Sequence, residues 1–212
     1  MEECLAEMQR QGAVLVDPAN LPSHGKYDDD ESEVLLYEFK ADLNAYLAAR
    51  GPHTRVRSLA DVIAFNREHR DREMPFFEQE LFEKAQKKGP LTDKAYLDAR
   101  AKCLRLSRAE GIDALVAKYK LDAIVAPTGV PAPLNDFVLG DANWSSCTTP
   151  AAVAGYPHIT VPAGFVRGLP VGISFFGPAW SEPVLLKIAY SFEQATKVRR
   201  PPQFAASVDL AR

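Results

Sequence analysis

Three cysteines, two tryptophans and three methionines are all that 212 residues hold of those types, and neither sign of charge prevails. Twenty-five Lys and Arg stand against 28 Asp and Glu, a formal net charge of −3. Each shortage excludes something. Cys4, Cys103 and Cys147 are odd in number and far apart, which fits neither a disulfide framework nor a zinc site and points to a reducing cytoplasm. The basic residues gather into no stripe, so nucleic acid is not an expected partner. No apolar run approaches the length of a membrane span, and the opening MEECLAEMQRQGAVLVD carries acids where a signal peptide carries bases. Neither a membrane nor an export route is therefore expected.

Metal-ligand patterns are missing as well. His24, His53, His69 and His158 are scattered without close helical pairing. The acids Asp28, Asp29, Asp30, Glu31 and Glu33 lack an EF-hand arrangement and read as a solvated loop. No metal and no cofactor are expected.

What is present suffices for a core. With 47% hydrophobic residues the chain reads as a single domain over residues 1–212. Cys4, Leu5 and Met8 at helical spacing predict a helix over residues 2–11 that Gly12 stops, and residues 13–16 (AVLV) predict a buried strand. Such a strand needs neighbours, and the helix before it is one that normally follows an earlier strand, so the opening reads as cut from something longer. A loop over residues 17–30 leads to an amphipathic helix over residues 33–49, with Leu35, Phe39, Leu43 and Leu47 four apart. Ser58 is placed to cap a helix over residues 59–68, and residues 75–87 predict another. Thr92 is placed to cap a longer helix bearing Tyr96, Ala99, Cys103 and Leu106 on one stripe, continuing through Ile112, Leu115 and Tyr119, with Gly111 set to break or kink it. Residues 123–126, 158–161 and 171–175 predict strands, the last two joined as an antiparallel hairpin across Arg167 and Gly168. Pro162, Ala163 and Gly164 are placed to end the second strand, and Ser181 to cap a last helix over residues 183–196.

Helices alternating with short apolar strands predict an α/β layer architecture. At Pro127 the first of the three strands must leave its sheet, because proline cannot donate a ladder hydrogen bond. Chain exits of this kind often border clefts.

Four stretches then carry a resemblance: DAIVAPTGVPAPLND from Asp122, CTTPAAVAGYPHITVPAG from Cys147, GLPVGISFFG from Gly168, and SEPVLLKIAYSFEQAT from Ser181. In order and spacing they resemble the end of the amidase signature family. More weakly, GAVLVDPANLP and EVLLYEFKADLNAYLA extend the likeness to essentially the whole chain, the latter looking most like bacterial peptide amidases. The resemblance implies a partial amidase signature fold, a mixed β-sheet covered by α-helices. It implies hydrolysis of linear carboxamides to carboxylate and ammonia through an acyl-serine intermediate, without a cofactor. In that family a serine nucleophile, a second serine on a cis peptide and a lysine base lie upstream of the matching region, so no residue of this chain is expected to be catalytic, and the chain alone is predicted inactive.

Ser145 and Ser146 are adjacent but lack flanking glycines to bring backbone amides close, and they read as a turn and cap ahead of Pro150. Cys147 reads as an inert buried thiol rather than a nucleophile served by His158. The resemblance places the stretch over residues 134–144 beside the substrate pocket, where Asp141, Asn143 and Trp144 would offer hydrogen bonds and an aromatic wall. The same residues also suit turns and a core anchor. The expected partners are a small amide or peptide amide substrate together with the missing N-terminal part, and self-association through exposed core. Two other roles stay open: a non-catalytic binding or scaffolding subunit, and part of an A-type component of an aminoacyl-tRNA amidotransferase.

Overall fold

In a computed structural model the described residues are 1–51, 54–140 and 145–204. In chain order the helices are α1 (Glu2–Arg10), α2 (Asp28–Ala48), α3 (Leu59–Glu68), α4 (Arg70–Glu73), α5 (Glu80–Gln86), α6 (Lys94–Ser107), α7 (Asp113–Tyr119), α8 (Thr149–Ala154) and α9 (Glu182–Thr196). The strands are β1 (Ile124–Pro127), β2 (His158–Val166) and β3 (Leu169–Phe176). Two compact units emerge, Met1–His24 with Leu104–Arg212, and Gly25–Cys103.

The first unit is built on the sheet, in the order β1-β3-β2 with both pairings antiparallel. Alternation along β3 sends neighbouring side chains to opposite faces. Ile173 and Phe175 join Cys4 and Met8 of α1 and Leu185, Ala189 and Phe192 of α9. Phe176 faces the other way, into a cluster with Ile112, Leu115, Ile124, Ala151 and Ala154. The result is an α/β unit with helices on both faces of its sheet. The hairpin turns on Arg167 and Gly168, both at positive φ (49° and 80°), the geometry that lets a two-residue connection follow the strand twist. Residues 162–164 do not end β2 as expected. They form a bulge between Pro162 and Gly164, with Gly164 at φ 143°, and the ladder resumes to Val166.

Gly111 does break the long helix. Its φ/ψ of −115°/−105° lies outside the helical region, within a π-helical turn over residues 108–112 that separates α6 from α7. A Cβ at this position would sit 2.4 Å from the carbonyl oxygen of Leu106, so only glycine fits. The predicted stripe on α6 holds: Tyr96, Ala99, Cys103 and Leu106 are all buried.

The second unit is helical. Leu59 and Ile63 of α3 and Ala85 of α5 form its centre, with Leu36, Leu43 and Phe82 packed around them. Ser58 caps α3 as expected, its hydroxyl accepting the Asp61 N–H at 3.2 Å, and Asn44 of α2 adds a second cap by accepting the Leu59 N–H at 2.8 Å. Three expectations fail here. The acids 28–31 are the first turn of α2 rather than a loop, because carboxylates are favoured at a helix N-terminus, and Asp30 pairs with Lys102. The stripe of α2 is also displaced: Leu35 is exposed while Tyr37 is buried, its hydroxyl 3.2 Å from Asp93. Residues 75–79 stay outside α5, and Phe76 and Phe77 are exposed.

The largest departure lies at residues 13–16. They form no strand, and Val14 is 91% exposed. No described helix is long and apolar enough to cross a membrane.

Candidate functional site

A row of hydroxyls sits where β1 ends. Register pairs Ser174 of β3 with Thr160 of β2, and Thr128, the residue after β1, joins them in one row by bonding to Gly172, two residues before Ser174. Ser174 Oγ lies 2.7 Å from Thr128 Oγ1 and 2.9 Å from Thr160 Oγ1. Ser174 is fully buried, whereas Thr160 is exposed, so the row runs from the interior to solvent. Gly172 makes room for it, since a Cβ there would come within 2.8 Å of both Thr128 Oγ1 and Thr160 Cγ2. Sequence reasoning missed this row. Its one signal was a hydroxyl residue inside the apolar run GISFF, at the parity shared by Thr160.

Pro127 does send the chain out of the sheet. Thr128 still donates its N–H to Gly172 (2.9 Å) and accepts the Cys147 N–H (3.2 Å), and Gly129 bridges to Ser146. These contacts tie the two ends of the stretch between Gly129 and Ser146 together at the tip of β1. Within it, Asp136 accepts the N–H groups of Leu139 and Val138, both at 2.9 Å, which hold its carboxyl below the usual carboxylate range. Leu134, Phe137, Val138 and Leu139 are exposed there. Asp141, Asn143 and Trp144 lie outside the described residues.

Ser145 and Ser146 are exposed. Ser146 Oγ accepts the Thr148 N–H at 3.1 Å and lies 2.8 Å from Thr148 Oγ1, an ordinary turn leading into α8. Among the described residues no Lys, His, Asp or Glu is hydrogen-bonded to these serines or to the Thr128–Ser174–Thr160 row. The arrangement can orient a polar atom of a ligand, but it supplies no base to activate a hydroxyl.

Cys147 is half-buried, and among the described residues no bond joins it to His158. The His158 ring packs on Phe176 (5.6 Å between centroids), its Nε2 is buried without a hydrogen-bond partner among the described residues, and burial lowers its pKa. Burial likewise raises the thiol pKa of Cys4 and of Cys103. Among the described residues no group of three His, Cys, Asp or Glu is placed to hold a metal ion.

Comparison with known proteins points the same way. The profile of the family described as Amidase matches residues 1–186. A probable amidase of Arabidopsis thaliana is 39% identical over 214 residues, covering 97% of this chain and 38% of that protein. The A-type component of the glutamyl-tRNA(Gln) amidotransferase of Methanosarcina barkeri is 37% identical over 125 residues, 53% of this chain and 24% of that one. Among solved structures, the native peptide amidase of Stenotrophomonas maltophilia is similar at 47% identity with a TM-score of 0.86, over 96% of this chain and 40% of that chain. A peptide amidase bound to the competitive inhibitor chymostatin gives 48% and 0.89, over 96% and 41%. The chain thus spans about two fifths of the length of the plant relative and of these peptide amidases.

Proposed function

The chain belongs to the amidase family, and on that premise we propose that it is the C-terminal portion of an enzyme that hydrolyses linear carboxamides, peptide amides among them. The observation that carries this reading is the 47–48% identity to peptide amidases maintained over 96% of the chain. In the proposed reaction a serine hydroxyl of the complementary portion adds to the amide carbon as its proton passes to a base. The C–N bond then breaks, nitrogen takes up a proton and leaves as ammonia, and water splits the acyl ester to give the carboxylate and restore the hydroxyl. This chain contributes scaffold and one wall of the substrate pocket, with Asp141, Asn143 and Trp144 as the proposed contacts and no residue in the covalent steps. That Ser145 and Ser146 have no base bonded to them among the described residues supports inactivity of the chain alone. The free thiols of Cys4, Cys103 and Cys147 support a cytoplasmic setting.

An amidotransferase A-type role is the second reading, supported by 37% identity over about half of the chain. A scaffolding role without catalysis is the third. One experiment tests the first reading against the third: ammonia release from a peptide amide by the chain alone, and by the chain co-folded with the complementary portion of the Stenotrophomonas enzyme. We expect none from the first and turnover from the second. Turnover by the chain alone overturns the division of labour, and a correctly folded but inactive assembly favours the scaffolding role.

A further inference from the structure

A helix at the surface of a domain needs one apolar stripe, and α2 carries two. The first serves the helical unit itself. Leu36 and Leu43 pack on the cluster of Leu59, Ile63 and Ala85, and Tyr37 is buried with its ring 5.6 Å from that of Tyr96. The second faces outward. Leu35, Phe39 and Tyr46 are 57%, 37% and 58% exposed, and with Glu38, Asp42 and Leu43 they line one open groove along the helix. Leu35, Phe39, Asp42 and Tyr46 follow one another at steps of four, three and four, the spacing with which one helix lies along another. A contiguous apolar row of this kind marks an interaction surface.

The charges at its two ends indicate what lies on it. Glu31 stands one turn before Leu35 and Arg50 one turn after Tyr46, on the same side of the helix. Among the described residues neither forms an ion pair. Burial and the neighbouring Asp28 push the Glu31 carboxyl up, so this acid has an anion beside it and no cation. Arg50 donates from Nη1 to the Tyr46 hydroxyl at 2.8 Å, with its guanidinium 5.7 Å from that ring, which holds a cation at the far end of the row. A helix with an acid at its start, a base at its end and an apolar row between them is complementary to itself run antiparallel. About a two-fold axis midway along the row, Leu35 of each copy meets Tyr46 of the other, Glu31 meets Arg50, and the two helix dipoles oppose. A parallel copy would set Glu31 against Glu31. Asp42 then falls beside Phe39 of the other copy and weakens the pairing, so the association is a reversible one.

We propose that the outward face of α2 is a self-association surface, on which a second copy of the chain lays its own α2 antiparallel, with Leu35 packed on Tyr46 and Glu31 paired with Arg50 at each end. The surface lies wholly within the helical unit and does not depend on the function proposed above.

The test is sedimentation velocity of the 212-residue chain over a concentration series. A monomer–dimer equilibrium is expected. Leu35→Asp should weaken it by about tenfold or more, and Glu31→Lys and Arg50→Glu by about tenfold each, since a two-fold pair feels every change twice. Combining Glu31→Lys with Arg50→Glu should restore the affinity of the unaltered chain to within about threefold, a rescue that mere surface destabilisation does not give. Asp42→Leu should tighten the dimer by about tenfold, because it removes a carboxylate from an apolar contact. Leu35, Asp42 and Arg50 are exposed and Glu31 is half-buried, so urea midpoints measured on the monomer should stay close to that of the unaltered chain. A chain that stays monomeric at every concentration overturns the proposal. Association that Leu35→Asp leaves unchanged assigns it to another face, and a combined variant that fails to recover overturns the antiparallel register. Displacement of the dimer by the separately produced complementary portion of the Stenotrophomonas peptide amidase makes the rest of an amidase the occupant of this face and overturns the proposal as well.

Discussion

The sheet unit and the helical unit solve the same problem, satisfying the backbone, in opposite ways. Helices α2, α3 and α5 bond internally, so their unit needs only its ends tied. It ties them with side chains: Asn44 and Ser58 cap α3, Lys40 donates to the carbonyls of Gln86 (3.0 Å) and Lys88, and Gln79 donates to the carbonyl of Ile63 (3.1 Å). The sheet unit bonds between strands, so any edge without a neighbour leaves a row of open groups, and one edge of β1 and the backbone of residues 14–16 are such rows. A helical unit can be polar-stitched shut, whereas a strand edge without a neighbour stays open.

The comparison can be broken at each unit's centre, where the largest effects are expected. Phe175→Ala should cost about 3–5 kcal/mol in urea unfolding, because Phe175 is fully buried between β3 and α9, with Phe192 against its ring at 6.1 Å. Leu59→Ala should cost about 2–5 kcal/mol by the same measurement, Leu59 being the fully buried centre of the helical unit.

Intermediate effects should separate the two kinds of polar tie. Ser174→Ala strands the hydroxyls of Thr128 and Thr160 and should cost about 1–3 kcal/mol, and Gly172→Ala, which drives a methyl into the same threonines, about as much. If the hydroxyl row is structural, the two changes should be non-additive when combined, since they act on one cluster. Asn44→Ala removes a single cap and should cost about 0.5–2 kcal/mol, read as a shift in the urea midpoint.

The smallest effect concerns pH and only the sheet unit. Burial depresses the pKa of His158 below its unfolded value, so the unfolded chain takes up a proton first as pH falls. Stability is therefore full above the ordinary histidine value and declines as pH drops from that value toward the lowered one. Comparing urea midpoints at neutral and mildly acid pH should show this loss, and His158→Gln should shrink it; an unchanged slope in the variant would assign the dependence to other groups.

Much of this was legible in the chain. The stripe Tyr96, Ala99, Cys103 and Leu106 is buried because 3.6-residue periodicity is a local property of one helix. Gly111 marks a break for the equally local reason that no other residue fits its backbone. The hairpin over Arg167 and Gly168 formed where turn chemistry put it. What failed depended on neighbours. The spacing of Leu35 and Phe39 suggested the wrong face of α2, since which face is buried is decided by α3 and α5 rather than by α2. Ser181 forms no side-chain cap on α9 because its hydroxyl goes to the carbonyl of Pro178 at 2.7 Å.

The candidate site divides in the same way. The order of motifs by itself determined the family, and the proline after β1 located the chain exit, because both are written in consecutive residues. Only the tertiary structure decided that Thr128, Ser174 and Thr160 share one row, since strand register joins residues 14 and 46 positions apart. It also decided that residues 13–16, β-prone as they are, form no strand: a strand exists only through its partners' hydrogen bonds, and no sequence of four residues can supply those alone.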